Sequence, residues 1–178
     1  ERISLKLLFD PSTGQILGAQ GVGGTGTDKR IDVLATAIIG GIRADELADL
    51  ELAYAPPFGS AKDPVNQLGY VADNIMNGTT RIIGWDEIDA TDRYLVDVRT
   101  HGEFRKGNIE GAVNIPIDDL RARHTEIPRD GAGNPVPIAV YCQVGQRGHT
   151  AARLLTQLGY DVVNLDGGWL TYSLARAV

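Results

Sequence analysis

The 178-residue chain has a single cysteine, Cys142. An internal disulfide is therefore excluded, and a reducing, cytoplasmic setting is the expectation. Positive charge is also in short supply, since 17 Lys and Arg against 23 Asp and Glu leave a formal net charge of -6. That balance lacks the basic stripe of a nucleic-acid surface or of an anionic-membrane surface, but leaves room for a small anionic substrate. No apolar run nears the roughly 20 residues of a membrane span, and no charged-then-apolar secretory signal opens the chain. An initiating methionine is missing too. The chain starts at Glu1 and enters a strand-like run almost at once, so it reads as a piece of something longer. What is present, 43 % apolar and 22 % charged residues, suits a soluble globular protein with one large or two small cores.

Two halves meet at MNGTTR (residues 76–81), where small polar residues interrupt the apolar pattern. The boundary is placed between residues 78 and 79. In the first half, LKLLFDPSTGQILGAQ reads as an antiparallel hairpin, with Pro11 pre-set for the turn and Gly14 able to take positive φ. Thr27 or Asp28 is expected to cap a helix running to about Ile39, with Ile31, Leu34, Ala35, Ile38 and Ile39 as its apolar stripe. A proline-punctuated loop follows. It leads into a helix from about Pro64 that carries Val65, Leu68, Val71, Ala72 and Ile75.

The second half is patterned differently. YLVDVR (94–99) and PIAVYC (137–142) are nearly continuous apolar runs, as in strands buried on both faces of a parallel sheet. Helical stretches alternate with them, and DVVNLDGGW supplies a further strand and turn. The pattern predicts an α/β domain of about 100 residues whose site lies at the carboxyl ends of strands. Cys142 is at such an end.

GVGGTG (21–26) fits the spacing of a dinucleotide-binding turn. Its context does not fit, because the predicted helix starts after the last glycine and the preceding strand belongs to a hairpin. The loop from Cys142 to Arg147 carries more chemistry. A thiol reacts as its thiolate, and successive backbone N–H groups, a helix N-terminus and the Arg147 charge would all favour that form, with Gly145 permitting the tight curl. The plain alternative is a small buried hydrophobe.

LVDVRTHGEFRKGNIEGAVNIP (95–116), YCQVGQRG (141–148) and LDGGW (165–169) together resemble the rhodanese-homology domain, a sulfurtransferase module of parallel sheet and flanking helices. The resemblance implies catalysis by Cys142, which would hold sulfane sulfur as a persulfide. Gln143, Val144, Gly145, Gln146 and Arg147 would then bind substrate through their loop amides. Asp97 and Arg99 are read as structural, and His149 as a helix-face residue. Two positions depart from the family. Asn108 stands where many relatives have histidine, and Gly148 stands where Ser or Thr is commoner, leaving the next helix uncapped or capped by Thr150. Phosphatases with a Cys-to-Arg anion loop are the competing reading, but they use C-x5-R where this chain has C-x4-R.

In the first half, ILGAQGVGGTGTDKRIDVLATAI and LELAYAPPFGSAKDPVNQLGYVADN resemble the dimerisation domain of pyridine nucleotide-disulfide oxidoreductases, in the branch of coenzyme A-disulfide reductase. The expected organisation is thus a small α+β dimerisation domain with antiparallel strands at 1–78 and an α/β rhodanese-like domain at 79–178. The resemblance implies a C-terminal part of a larger flavoenzyme, a coenzyme A-disulfide, persulfide or polysulfide reductase. FAD, NAD(P)H and coenzyme A would serve that parent enzyme, with no cofactor or metal held by this chain. Implied partners are a small sulfur donor, a thiol acceptor and a second copy bound through 1–78, with no nucleic acid and no membrane. Tyr70, with Tyr54 behind it, is nominated as approaching the partner subunit's active site. A sulfur-docking module without turnover of its own is the alternative.

Overall fold

The computed structural model describes residues 2–57 and 59–177, so Phe58 of the proline-punctuated run lies outside the described residues. The chain divides into two compact units, Glu1–Thr79 and Thr80–Val178.

In the first unit β1 (Ile3–Phe9) pairs antiparallel with β2 (Ile16–Gly23). The turn is built by Asp10, whose carboxylate accepts from the Ser12 amide and hydroxyl, and by Gly14 at φ +78°. Alternation puts Leu5, Leu7 and Phe9 on the core side and leaves Ser4, Lys6 and Leu8 exposed.

Helix α1 (Thr27–Gly40) is capped by Gly26 at φ +88° with no side-chain cap. Neither Thr27 nor Asp28 takes that part; the Thr27 hydroxyl donates instead to the Gly24 carbonyl at 2.8 Å. The apolar stripe is also rotated from the one expected. Leu34 and Ala37 are buried and Ile31 and Ile38 half-buried, whereas Ala35 is exposed and Ile39 is 90 % exposed. The cause is Arg30, buried in an ion pair with Asp63 at 2.6 Å. It fixes the inward line at 30, 34 and 37, the i, i+4, i+7 positions, so the small Ala37 faces the core.

Asp63 also caps α2 (Pro64–Met76), accepting from the Val65 amide at 3.0 Å. Val65 and Ala72 are buried and Leu68 and Ile75 half-buried, but Val71 faces outward. Gly69 lets α2 approach the backbone of Leu47 and Ala48, where a Cβ would stand 2.1 Å from the Ala48 nitrogen. Asn66 Nδ2 ties the same segment down by donating to the Leu47 and Leu50 carbonyls.

The second unit is a five-stranded, all-parallel sheet in the order β3-β7-β6-β4-β5. Its strands are β3 (Ile82–Ile83), β4 (Tyr94–Asp97), β5 (Val113–Asn114), β6 (Ile138–Tyr141) and β7 (Val162–Leu165). Helices α3 (His101–Arg105), α4 (Ile117–Arg123), α5 (Gln146–Gln157) and α6 (Gly168–Ala175) complete it. Every residue of β6 and β7 is buried, as continuous apolar runs require. Ile138, Val140 and Cys142 enter one core with Leu120, Ala151 and Leu155, while Ala139 and Tyr141 enter the other with Ile88, Ile109 and Leu165. The sheet is therefore covered on both faces. Cys142 directly follows the central strand, β6.

Among the described residues no helix is long and apolar enough to cross a membrane. Among the same residues no group of three or more His, Cys, Asp or Glu is placed to hold a metal ion.

Candidate functional site

Cys142 is 1 % exposed and lies at the C-terminal end of β6, where the chain turns into α5. The Gly145 N–H points back at it, donating to Sγ at 3.2 Å. Gly145 itself is at φ +105°, a conformation that a side chain would strain, and it is the N-cap of α5. No side chain caps that helix, and Thr150 bonds to the Gln146 carbonyl instead of serving as the cap.

The start of α6 grips the loop from outside. The Trp169 N–H donates to the Cys142 carbonyl at 2.8 Å, and the Leu170 N–H donates to the Gln143 carbonyl at 3.0 Å. A trans peptide directs its N–H opposite its C=O. With no cis bonds in the described chain, the amides of Gln143 and Val144 thus face away from α6. Gly168 makes the approach feasible, since a Cβ there would sit 2.5 Å from the Cys142 carbonyl oxygen. This is the physical content of the LDGGW motif.

Arg147, expected to bring a fixed positive charge to the loop, is held by Glu103 in a two-pronged pair at 2.9 and 2.7 Å. Glu103 is fixed in turn by Thr100, with which it forms the capping box of α3. The Arg147 hydrogen bonds hold the Glu103 carboxyl down to about 2, and Glu103 raises the guanidinium further above its ordinary value. Because the folded value lies below the ordinary 4.5, the pair contributes its full stability above that pH and loses it as pH falls toward 2. A carboxyl-detected NMR titration should find the Glu103 midpoint near 2. In the same range, the stability difference between wild type and Glu103→Gln should shrink as pH falls. A Glu103 midpoint at the ordinary carboxylate value contradicts the pairing.

Beneath the loop lies a buried web. Asp97 and Arg99 are 0 % and 1 % exposed, and the Asp97 carboxylate accepts from the Arg99 amide, Nε and Nη2, the last at 2.6 Å. The guanidinium then reaches the Gly107 carbonyl at 2.7 Å and Gln143 Oε1 at 3.4 Å, and stacks 4.9 Å over Trp169. Of the other loop residues, Val144 and Gln146 are exposed. His149 bonds through Nδ1 to Thr80 Oγ1 at 2.6 Å, and burial lowers its pKa, so it is neutral near pH 7. Asn108 Nδ2 donates to the Phe104 carbonyl at 3.3 Å. In the first unit Tyr54 and Tyr70 are both exposed, with Lys62 Nζ 5.0 Å from the Tyr70 ring. They line a cavity of about 340 Å³ with Ser60, Asp63 and Asn66.

Gly21–Gly26 does not fit a dinucleotide cofactor. The chain there runs out of an antiparallel strand, and α1 starts only at Thr27, so no helix N-terminus opens within the glycines. Sequence reasoning missed Glu103, the α6 amides and Asn164, whose Nδ2 donates to the Gly145 carbonyl at 3.2 Å. The capping pattern T-x-x-E at 100–103 was the available signal for Glu103.

Comparison with known proteins matches residues 83–175 to the rhodanese-like domain and residues 1–64 to the pyridine nucleotide-disulphide oxidoreductase dimerisation domain. Reduced Bacillus anthracis CoADR-RHD is similar over 96 % of this chain and 30 % of its own, at TM-score 0.91 and 47 % identity. A NAD-dependent persulfide reductase from A. fulgidus is similar over the same shares, at TM-score 0.83 and 41 % identity. Coenzyme A disulfide reductase of Staphylococcus haemolyticus is 45 % identical over 73 residues, 41 % of this chain and 17 % of that protein. The chain thus spans well under a third of the curated relative, and 30 % of each of the two solved chains.

Proposed function

The chain belongs to the rhodanese-like domain family, and from that premise we propose that it carries sulfane sulfur on Cys142 as a persulfide. The observation that supports this most directly is the Gly145 N–H aimed at Sγ in a loop whose outer carbonyls are already taken by α6. Donors on the inner side are then free to serve charge on sulfur, as an oxyanion hole serves oxygen.

In the first half-reaction the Cys142 thiolate attacks the terminal sulfur of a donor such as thiosulfate or a polysulfide. A new S–S bond forms at Cys142, the donor's own bond to that sulfur breaks, and its electron pair departs with sulfite or with the shortened polysulfide. In the second, an acceptor thiolate attacks the outer sulfur and leaves as a persulfide, returning the thiolate of Cys142. No net electron transfer is needed, and neither step requires a general base. Arg147, already neutralised by Glu103, orders the loop more than it supplies net charge.

The relatives' names include coenzyme A disulfide reductase and persulfide reductase. We place the present chain as the sulfur-carrying and dimer-forming part of a flavin- and NAD(P)H-dependent reductase of that kind, in which FAD and nicotinamide would bind outside the residues described here. A second copy is expected to bind through residues 1–78, where Ile39, Val22 and Val71 are exposed. Light scattering should give twice the 19.1 kDa of one chain, and a monomer at every concentration rejects that assembly. Intact-mass spectrometry after thiosulfate or polysulfide tests the carrier itself. One added sulfur per chain, removed by cyanide or a thiol, is the expected result. No added sulfur rejects it, and an added sulfur that nothing discharges reduces the protein to a docking module.

A further inference from the structure

Behind the loop one polar atom has no partner. Asn164, in β7 beside the strand that bears Cys142, is 7 % exposed. Its Oδ1 is the one buried side-chain nitrogen or oxygen among the described residues without a hydrogen bond. A buried carbonyl left unpaired is unfavourable, so its retention calls for a reason. The other end of the carboxamide supplies one. Nδ2 donates to the Gly145 carbonyl at 3.2 Å, and Gly145 is the residue whose own N–H reaches Cys142 Sγ. On the far side stands Gly148, in the first turn of α5. A Cβ there would lie 2.1 Å from Asn164 Oδ1 and 3.1 Å from its Cγ.

We propose that Asn164 is a positioning residue for Cys142: a carboxamide borne on the neighbouring strand that pins Gly145 in its left-handed conformation and so keeps the Gly145 N–H on the sulfur. Gly148 is its complement, glycine because the Asn164 carbonyl occupies the volume a side chain would need. The start of α5 has no side-chain cap, and the loop is tied from β7 as well as by the helix's own His149 N–H. The inference needs Cys142 to be the reactive atom; it does not need sulfur to be what reacts.

The test uses the whole chain and two measurements, the pH profile of Cys142 alkylation by iodoacetamide and the thermal transition. Asn164→Leu keeps the branched outline with bulkier methyl groups, removes the orphaned oxygen, and leaves the Gly145 carbonyl its second donor, the His149 N–H at 2.8 Å. It should melt at or above the wild-type temperature. Its alkylation at pH 7 should nonetheless be about tenfold slower, with the gap to wild type closing at high pH, where any thiol is ionised. Gly148→Ser alone should slow alkylation similarly, because its side chain meets Asn164. Combined with Asn164→Ala it should be no slower than Asn164→Ala alone, a non-additive result that marks direct coupling.

A wild-type profile for Asn164→Leu overturns the proposal, as does additivity of the Gly148→Ser and Asn164→Ala effects. Should Asn164→Leu fail to fold, the Gly148→Ser cycle decides alone. Polysulfide loading, followed by intact mass on the same proteins, separates this proposal from the sulfur-carrier reading. Coupled alkylation with no sulfur uptake by any variant supports the positioning role and rejects sulfur transfer.

Discussion

The Cys142→Ser protein is expected to take up no sulfur from thiosulfate or polysulfide, while folding much as wild type does. Sulfur uptake requires a polarisable, ionised nucleophile that can form an S–S bond, and an alcohol does neither near neutral pH. Yet the substituted oxygen still offers an acceptor to the Gly145 N–H, which in the native chain donates to Sγ at 3.2 Å. Cys142 is packed with Val140, Ala151 and Leu155, so the exchange of a weakly polar thiol for a hydroxyl should cost about 1–2 kcal/mol, an ordinary core change. Intact mass and thermal unfolding on one sample separate the two effects. Sulfur retained on the serine variant would mean that it is bound elsewhere and would end the assignment of Cys142 as carrier.

Asp97→Ala should be the most damaging change to stability in the second unit, though Asp97 touches no reacting atom. It accepts four hydrogen bonds from Arg99, and both side chains are almost wholly buried. Removing one partner strands the other charge in the core, at about 3–5 kcal/mol. A domain of this size is stable by only about 5–15 kcal/mol. For roughly 100 residues each kcal/mol lowers the melting temperature by about 4–8 °C, so a fall well beyond 10 °C is expected. Removing both charges, as Asp97→Ala/Arg99→Leu, should recover much of that loss because the stranded guanidinium is gone. Sulfur loading should not recover with it, since Arg99 also reaches Gln143 Oε1 and stacks on Trp169. An Asp97→Ala protein that melts within a few degrees of wild type contradicts this account.

The sequence shows the architecture wherever local signals decide it. The alternation in β1, the proline and aspartate at the start of α2, and the continuous apolar runs of β4 and β6 all predict the elements observed. Cys142 is legible for the same reason, standing at the end of an apolar run before a glycine and an arginine. Failures fall where a distant partner overrides a local preference. The face that α1 turns inward is set by the Arg30–Asp63 pair, 33 residues apart, so the apolar spacing from Ile31 took in Ala35 and Ile39 and passed over Ala37. The pairing that neutralises Arg147 was not visible because its partner, Glu103, is 44 residues away. Thr150 looked like a cap because nothing near it in sequence announces that Asn164 already holds Gly145 from another strand. Short-range chemistry fixes which residues stand at the site, while contacts across the sheet fix how they are oriented.

The grip of α6 on the loop ties the site to the order in which the chain is made. The amides that hold the Cys142 and Gln143 carbonyls belong to Trp169 and Leu170, and β7, which flanks β6, must also be in place. While a ribosome still holds the last thirty or so residues of this unit, Cys142 can already be translated yet has neither anchor. At that stage neither the Trp169 and Leu170 amides nor β7 holds the loop that follows it. Both anchors of the Cys142 loop are complete only when α6 docks, so on the proposed reading the unit's completion and its chemistry arrive together.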